Sequence, residues 1–319
     1  MRKVLLSLLL ISVFSCQDKK DKPVELGLDQ SPVELELFGE NFVSTPLVER
    51  DFAISSDGNE IIFTRGNYKQ TRRCLVSIKK NGKEWGSEEI VSFSGEFQDI
   101  EPFFSPDGSQ LFFASNRPIN SDSERKDYNI WVSKKENDTW GAPSPLSDKI
   151  NTEGEEFYPS VSKDGNLYFT ATREDGIGRE DIFVSKYENG EYSDPMVLDS
   201  TVNTTAYEFN AYINPEEDLL IYSSFGRKDG LGGGDLYYSK KDENGNWTVA
   251  RNMGAPINSE KLDFCPFVDY SNNNFYFTSE RAKEFDQKIN SLEELENISN
   301  NVLNGMGNIY RINMEKLFD

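Results

Sequence analysis

The sequence predicts an all-β chain folded as a β-propeller, on three observations. A unit of about fifty residues recurs five times, each unit carries four strand signals joined by tight turns, and the strand missing at the C-terminal end is present near the N-terminal end. The stretch FFSPDGSQLFFASNR, residues 103–117, is the clearest copy. Its counterparts are AISSDGNEIIFTRG from Ala53, SVSKDGNLYFTATR from Ser160, YINPEEDLLIYSSFGR from Tyr212 and FVDYSNNNFYFTSER from Phe267. Taking Gly58, Gly108, Gly165, Glu217 and Asn272 as anchors, successive spacings are 50, 57, 52 and 55 residues. That is the period of a propeller blade or a solenoid coil.

Each element has its own signal. The first two strands of a copy are apolar runs around a turn in which Asp hydrogen-bonds its own backbone and Gly accepts positive φ. These Asp-Gly pairs lack the spaced oxygen ligands of a calcium loop. A third run alternates with period two: RCLVSIKK from Arg73, NIWVSKK from Asn129, DIFVSKY from Asp181, DLYYSKK from Asp235 and NIYRIN from Asn308. The turns KNGKEW, ENDTW, ENGEY and ENGNW lead into a fourth run, and a parallel solenoid would not need such hairpin turns. The fifth copy ends at Asp319 after three runs, while VELELFGENFVST, from Val33 to Thr45, resembles a fourth. The N-terminal strand is therefore expected to close the last blade and remove an open edge. Five blades follow, or six if part of residues 17–48 or 282–306 builds another. Residues 282–306 interrupt the repeat; Ser291 with Glu294 makes a capping box ahead of Leu292, Leu295, Ile298 and Val302, which predicts a short amphipathic helix serving as a lid or a docking element.

The copies resemble the WD-like repeats of the TolB propeller family, in particular its exported lipoprotein versions of Bacteroidetes type. The resemblance rests on S-P-D-G at Ser105–Gly108, S-K-D-G at Ser162–Gly165, the following LFFASNR and LYFTATR, and GREDIFVS and GGGDLYYS ahead of third strands. It covers roughly residues 33–319 and implies a propeller, although the parent domain has six blades. Propellers host many roles, so function has to be argued from the site.

The start, MRKVLLSLLLISVFSC, has Arg2 and Lys3 followed by an apolar run from Val4 to Phe14, the shape of a secretory signal. Val13-Phe14-Ser15-Cys16 resembles a bacterial lipobox, so Cys16 is the expected lipid attachment. The expected organisation is a signal peptide at 1–15, a lipid-anchored flexible tether at 16–32, and one propeller domain at 33–319 with its helical insertion near 282–306. The product would be an outer-membrane lipoprotein, periplasmic or surface-facing.

Composition excludes much chemistry. A formal charge of −21 opposes binding to nucleic acid, and the absence of histidine removes Ser-His-Asp and Cys-His catalysis and His-ligated zinc. Cys74 and Cys265 lack metal-site spacing and read as free thiols. An acid recurs ahead of each first strand, at Glu49, Asp99, Glu156, Glu208 and Asp263, each preceded five residues earlier by Ser44, Ser94, Asn151, Asn203 or Asn258. Two readings stand. The acids ring one mouth of the central channel, attracting a cation or a basic segment, or each is held by its neighbours and locks adjacent blades. No metal site and no cofactor is indicated beyond weak Ca²⁺ binding by such a ring. Recurrent Arg117, Arg173 and Arg281 are expected to bridge the loop between strands two and three, as are the Asp or Asn that open the third strands. Trp85, Trp140, Tyr192 and Trp247 are expected to pack on neighbouring blades. The Gly-rich GLGGGD from Gly230 reads as a flexible loop. The expected function is a non-enzymatic, membrane-tethered scaffold, monomeric as a domain, that binds an envelope protein or peptide. The alternative is a glycan-binding propeller or a glycoside hydrolase working with carboxylates alone, drawn from Asp99, Glu156 and Glu208.

Overall fold

The computed structural model describes residues 24–120, 126–285 and 287–318. The expected signal peptide, Cys16 and the first part of the tether lie outside the described residues. Five antiparallel sheets succeed one another along the chain, each built on four strands. From the channel outward, blade one is Val48–Ile54, Glu60–Gly66, Arg73–Asn81 and Glu84–Ile90. Blade two is Asp99–Phe104, Gln110–Ser115, Asn129–Glu136 and Ser144–Pro145; blade three is Glu156–Val161, Leu167–Ala171, Asp181–Ser185 and Met196–Val197. Blade four is Tyr207–Ile213, Leu219–Phe225, Asp235–Lys240 and Arg251–Asn252. Blade five takes Asp263–Asp269, Asn274–Ser279 and Asn308–Asn313 from the C-terminal end and Glu36–Leu37 from the N-terminal end, with Glu36 opposite Arg311 and Leu37 opposite Tyr310. The propeller thus has five blades, closed as the repeat predicts.

Closure extends further toward the N-terminus than expected. Leu26 and Leu28 are buried with Phe52, Trp85 and Tyr276 in the apolar cluster between blades five and one. Asn274 Nδ2 donates to the carbonyls of Leu28 and Gln30, both at 2.9 Å, and Arg311 Nη1 donates to that of Gly27 at 2.6 Å. The described part of the expected tether, residues 24–32, is packed surface rather than a spacer, because its two leucines have an apolar gap to fill.

Two other expectations change. The helix Leu292–Ser299 is capped by Ser291, whose Oγ accepts from Glu294 N–H at 3.1 Å, but no residue of the helix is buried. Leu292 is 78% and Leu295 43% exposed, so the helix does not lid the propeller. The glycines of GLGGGD are a close approach rather than slack: a Cβ on Gly232 would lie 2.4 Å from the carbonyl carbon of Glu260. Gly234 forms a parallel bridge with Leu262, and its carbonyl accepts from Asp263 N–H at 2.9 Å. That loop carries blade four onto blade five. The Asp-Gly turns are as expected, with Ser55 Oγ and Ser105 Oγ donating to Asp57 and Asp107 at 2.6 and 2.5 Å, and Gly58 and Gly108 at φ 67 and 71.

Candidate functional site

The five recurrent acids are fully buried, and each is consumed by a lock between its blade and the connection before it. Glu208 accepts from Thr204 N–H and Oγ1, both at 2.8 Å, from Ser224 Oγ at 2.9 Å and from Arg227 Nε at 3.1 Å. Glu49 accepts from Thr45 N–H at 2.8 Å and Oγ1 at 2.7 Å and from Arg65 Nε at 2.8 Å. Glu156 accepts from Thr152 with Arg173 Nη2 3.6 Å away, and Asp263 accepts from Ser259 with Arg281 Nη2 3.2 Å away, ion pairs rather than the Nε hydrogen bonds of Glu49 and Glu208. In blade two the hydroxyl is missing because Gly95 stands there. Asp99 is held by Ser115 Oγ at 2.6 Å and Arg117 Nη2 at 2.5 Å, and its Oδ2 has no hydrogen-bond partner.

The arginines also reach the connection itself. Arg227 donates to the carbonyl of Val202, Arg281 to that of Ile257 and Arg65 to that of Phe42. Asn151, Asn203 and Asn258 each bond both the N–H and the carbonyl of a third-strand residue in the preceding blade, Ile130, Ile182 and Leu236. The ring reading is therefore corrected: Glu49, Asp99, Glu156, Glu208 and Asp263 hold blades together and do not line a mouth. Burial raises the carboxyl of Glu49, Glu156 and Asp263 above the ordinary range, against the hydrogen bonds they accept. Among the described residues no group of three or more Cys, Asp and Glu is arranged to hold a metal ion.

The channel is lined two residues further on. Every inner strand slips register by one residue, between Arg50 and Ala53, Ile100 and Phe103, Phe157 and Ser160, Phe209 and Tyr212, and Phe264 and Phe267. At each bulge one non-glycine residue takes left-handed φ: Asp51 at 63, Glu101 at 60, Tyr158 at 48, Asn210 at 52 and Cys265 at 55. Such strain persists only where the surroundings enforce it, and the bulge re-aims the side chain. The five residues differ from blade to blade, as the recurrent acids do not. They converge: Cys265 Sγ donates to Asp51 Oδ1 at 2.7 Å, Tyr158 N–H donates to Glu101 Oε2 at 2.7 Å, and Asn210 Nδ2 donates to Glu101 Oε1 at 3.3 Å.

Arg50 binds the set together. Blade one places an arginine where the other blades have Ile100, Phe157, Phe209 and Phe264. Its Nε lies 2.8 Å from Asp51 Oδ1, its Nη2 lies 2.8 Å from Glu101 Oε1, and its guanidinium stacks over Phe264 at 4.9 Å. Burial pushes the Glu101 carboxyl up to about 7 despite Arg50, with Asp51 adding repulsion. The Cys265 thiol is raised by burial, against the pull of Arg50 and with the carboxylates beside it, which favours the protonated form that donates to Asp51. Toward the hairpin end Phe103, Tyr212 and Phe267 converge, with Tyr212 and Phe267 edge to face at 5.7 Å. Toward the other end, half-buried Phe157, Phe209 and Leu262 pack on Tyr158, Phe264 and Cys265. Three carboxylates, Glu155, Glu180 and Glu280, stand at strand ends on this same side. Burial raises Glu180 and Glu280, and the charge of Glu155 adds to the effect on Glu180.

The cluster was missed from sequence because its residue types share nothing. The available signal was proline: Pro102, Pro159 and Pro266 each follow the left-handed residue, and a proline inside a strand marks a position without a ladder hydrogen bond.

No known family profile matches the chain, and no curated protein matches it. Solved structures do share its course. The TolB candidate from Agrobacterium tumefaciens superposes with a TM-score of 0.47 at 14% identity, over 74% of this chain and 71% of that one. TolB from Acinetobacter baumannii gives 0.43 at 14% identity over 74% of this chain and 51% of that one, so the chain spans about half its length. The GH43 endo-arabinanase from Bacillus licheniformis gives 0.46 at 12% identity over 89% and 96%. At such identities and TM-scores these likenesses assign this chain no family and no residue a role.

Proposed function

We propose that the chain is a non-catalytic propeller of the cell envelope that binds a basic, extended segment of another protein at the channel end where its inner strands begin. The observation that carries this is the make-up of that end. Half-buried Phe157, Phe209 and Leu262 form an apolar collar, Glu155, Glu180 and Glu280 stand at strand ends on that side, and the chain as a whole carries −21. Aromatic surface supplies contact area, and net negative charge speeds encounter with a cationic partner. Export and a lipid at Cys16 belong to the same reading and rest on residues 1–16.

The test is titration of a fluorescent lysine-rich peptide into the protein. The triple variant Glu155→Gln, Glu180→Gln, Glu280→Gln is expected to bind at least about ten-fold more weakly, with a shallower dependence on salt. Equal affinity would discard the proposal.

A second reading, glycan hydrolysis with Glu101 as acid and Asp51 as its partner, draws on the raised carboxyl of Glu101 and on Asp51 and Glu101 sharing Arg50. It ranks second because Asp51 and Glu101 are 2% and 4% exposed. Turnover on a panel of plant and algal glycans, lost in Glu101→Gln, would reverse the order.

A further inference from the structure

The gap between blades two and three differs from the gaps around it. Between blades one and two, buried Trp140 donates Nε1 to Glu60 Oε1 at 3.1 Å, and Lys135 Nζ lies 5.6 Å from the indole and 3.5 Å from Glu60 Oε2. Between blades three and four, Trp247 meets Tyr168 edge to face at 6.4 Å, with Lys241 Nζ at 5.0 Å from its ring. Between blades five and one, Trp85 is buried with Leu26 and Leu28. In each case a tryptophan of the later blade seals the seam.

At the seam between blades two and three every member of the first arrangement is replaced. Leu111 pairs with Phe104 as Ile61 pairs with Ile54, which puts Gln110 at the position of Glu60. The hairpin Tyr187–Glu188 with Glu191–Tyr192 puts Tyr187 and Tyr192 where blade two has Lys135 and Trp140. The two tyrosine rings touch each other, 5.0 Å apart and tilted by 55°, and Tyr187 is 44% exposed. What remains is a groove of about 680 Å³, floored by Phe112, Leu146 and Val161 and edged by Gln110, Tyr187 and Tyr192. A volume of this size suits a small ring system with its substituents.

Charge narrows the occupant. Lys134, Lys149 and Lys163 line the groove against Asp107, Asp148 and Glu191, so it carries no net charge in a chain of −21. An uncharged occupant is matched here, unlike at the channel end. We propose that this groove binds the indole ring of a tryptophan carried by a partner protein, seated as the chain's own tryptophans are seated in three of the other four seams. The Gln110 side-chain oxygen stands in for Glu60 as acceptor of the indole N–H, and the exposed Tyr187 ring replaces the lysine over the indole face. The proposal is independent of the reading of the channel end, because the groove opens beside the hairpin turns of blades two and three, Ser105–Asp107 and Ser162–Gly165.

The probe is N-acetyl-tryptophanamide, titrated into the isotopically labelled full chain and followed by amide chemical shifts. Saturable shifts are expected at the Gln110 side-chain amide and around Tyr187. Tyr187→Ala, at a residue 44% exposed, is expected to weaken binding at least about ten-fold with little change in melting temperature. Tyr192→Trp is expected to fill the seam from within, raising the melting temperature and abolishing the shifts. Absence of saturable shifts in the wild-type chain would overturn the proposal. So would undiminished binding in Tyr192→Trp, a lowered melting temperature in that variant, or shifts produced by pyranose oligosaccharides and not by the indole.

Discussion

Glu101 concentrates the tension of the site in one side chain. It is buried against Arg50, accepts from Tyr158 N–H, and titrates near 7 because loss of water outweighs both partners. A carboxyl raised by folding adds stability below its ordinary value of about 4.5, and that contribution is lost as pH climbs through 7. Glu101→Gln keeps the shape and removes the charge, so the fall in urea midpoint between mildly acidic and mildly alkaline buffer is expected to shrink. Glu180 and Glu280, raised by burial as well, keep part of the slope. An unchanged slope in the variant would mean that Glu101 is already ionised in the fold. Glu217 runs the opposite way. Burial works against its charge, but Lys186, Asn166 and Tyr168 bring it down to about 2, so its contribution is present above about 4.5 and disappears as pH falls toward 2.

Between neighbouring elements, the repeated unit of stability is a triangle of acid, hydroxyl and arginine. It joins an inner strand to the connection before it and to an arginine at or just beyond the end of the second strand. Glu208→Ala would remove the acceptor for Thr204, Ser224 and Arg227 together and leave the guanidinium largely unpaired. The expected cost is about 3–5 kcal/mol, read as a lower urea midpoint; a loss below about 1 kcal/mol would show that Val202 and Tyr222, which also accept from Arg227, carry the contact. This triangle was half legible in the sequence. The acid with Ser or Asn five residues before it recurs in every blade, but spacing alone does not say whether a carboxylate faces a channel or a neighbour. The bulge was less legible still, since a one-residue slip reverses which side chain turns inward. Arg50 then fell among apolar residues at its repeat position and carried no motif.

For the whole molecule, the closed ring depends on a short piece of chain. Among the described residues the two-residue strand Glu36–Leu37 pairs with the outer side of Asn308–Asn313, and Phe38 with Leu26 and Leu28 fills the seam behind it. Deleting residues 24–38 is expected to uncover a strand edge and an apolar seam at once, giving a broad, non-cooperative calorimetric transition and aggregation on size exclusion. A truncated chain that stays monomeric with the wild-type transition would show that four complete blades hold the fifth without closure.

The sequence by itself determined the repeat, the hairpin turns, the four-strand blade and the borrowed closing strand. Each of these is a local periodicity or a local turn chemistry, written within a few dozen residues. Tertiary structure decided what meets in the channel. Cys265 and Asp51 stand 214 residues apart in sequence and 2.7 Å apart in space. Their meeting follows from five separate bulges and the closure of the ring, neither of which any single stretch of residues specifies. It likewise decided that the seam between blades two and three stays open. The change from Trp to Tyr is visible in the sequence, but the space it leaves exists only once two blades are set side by side.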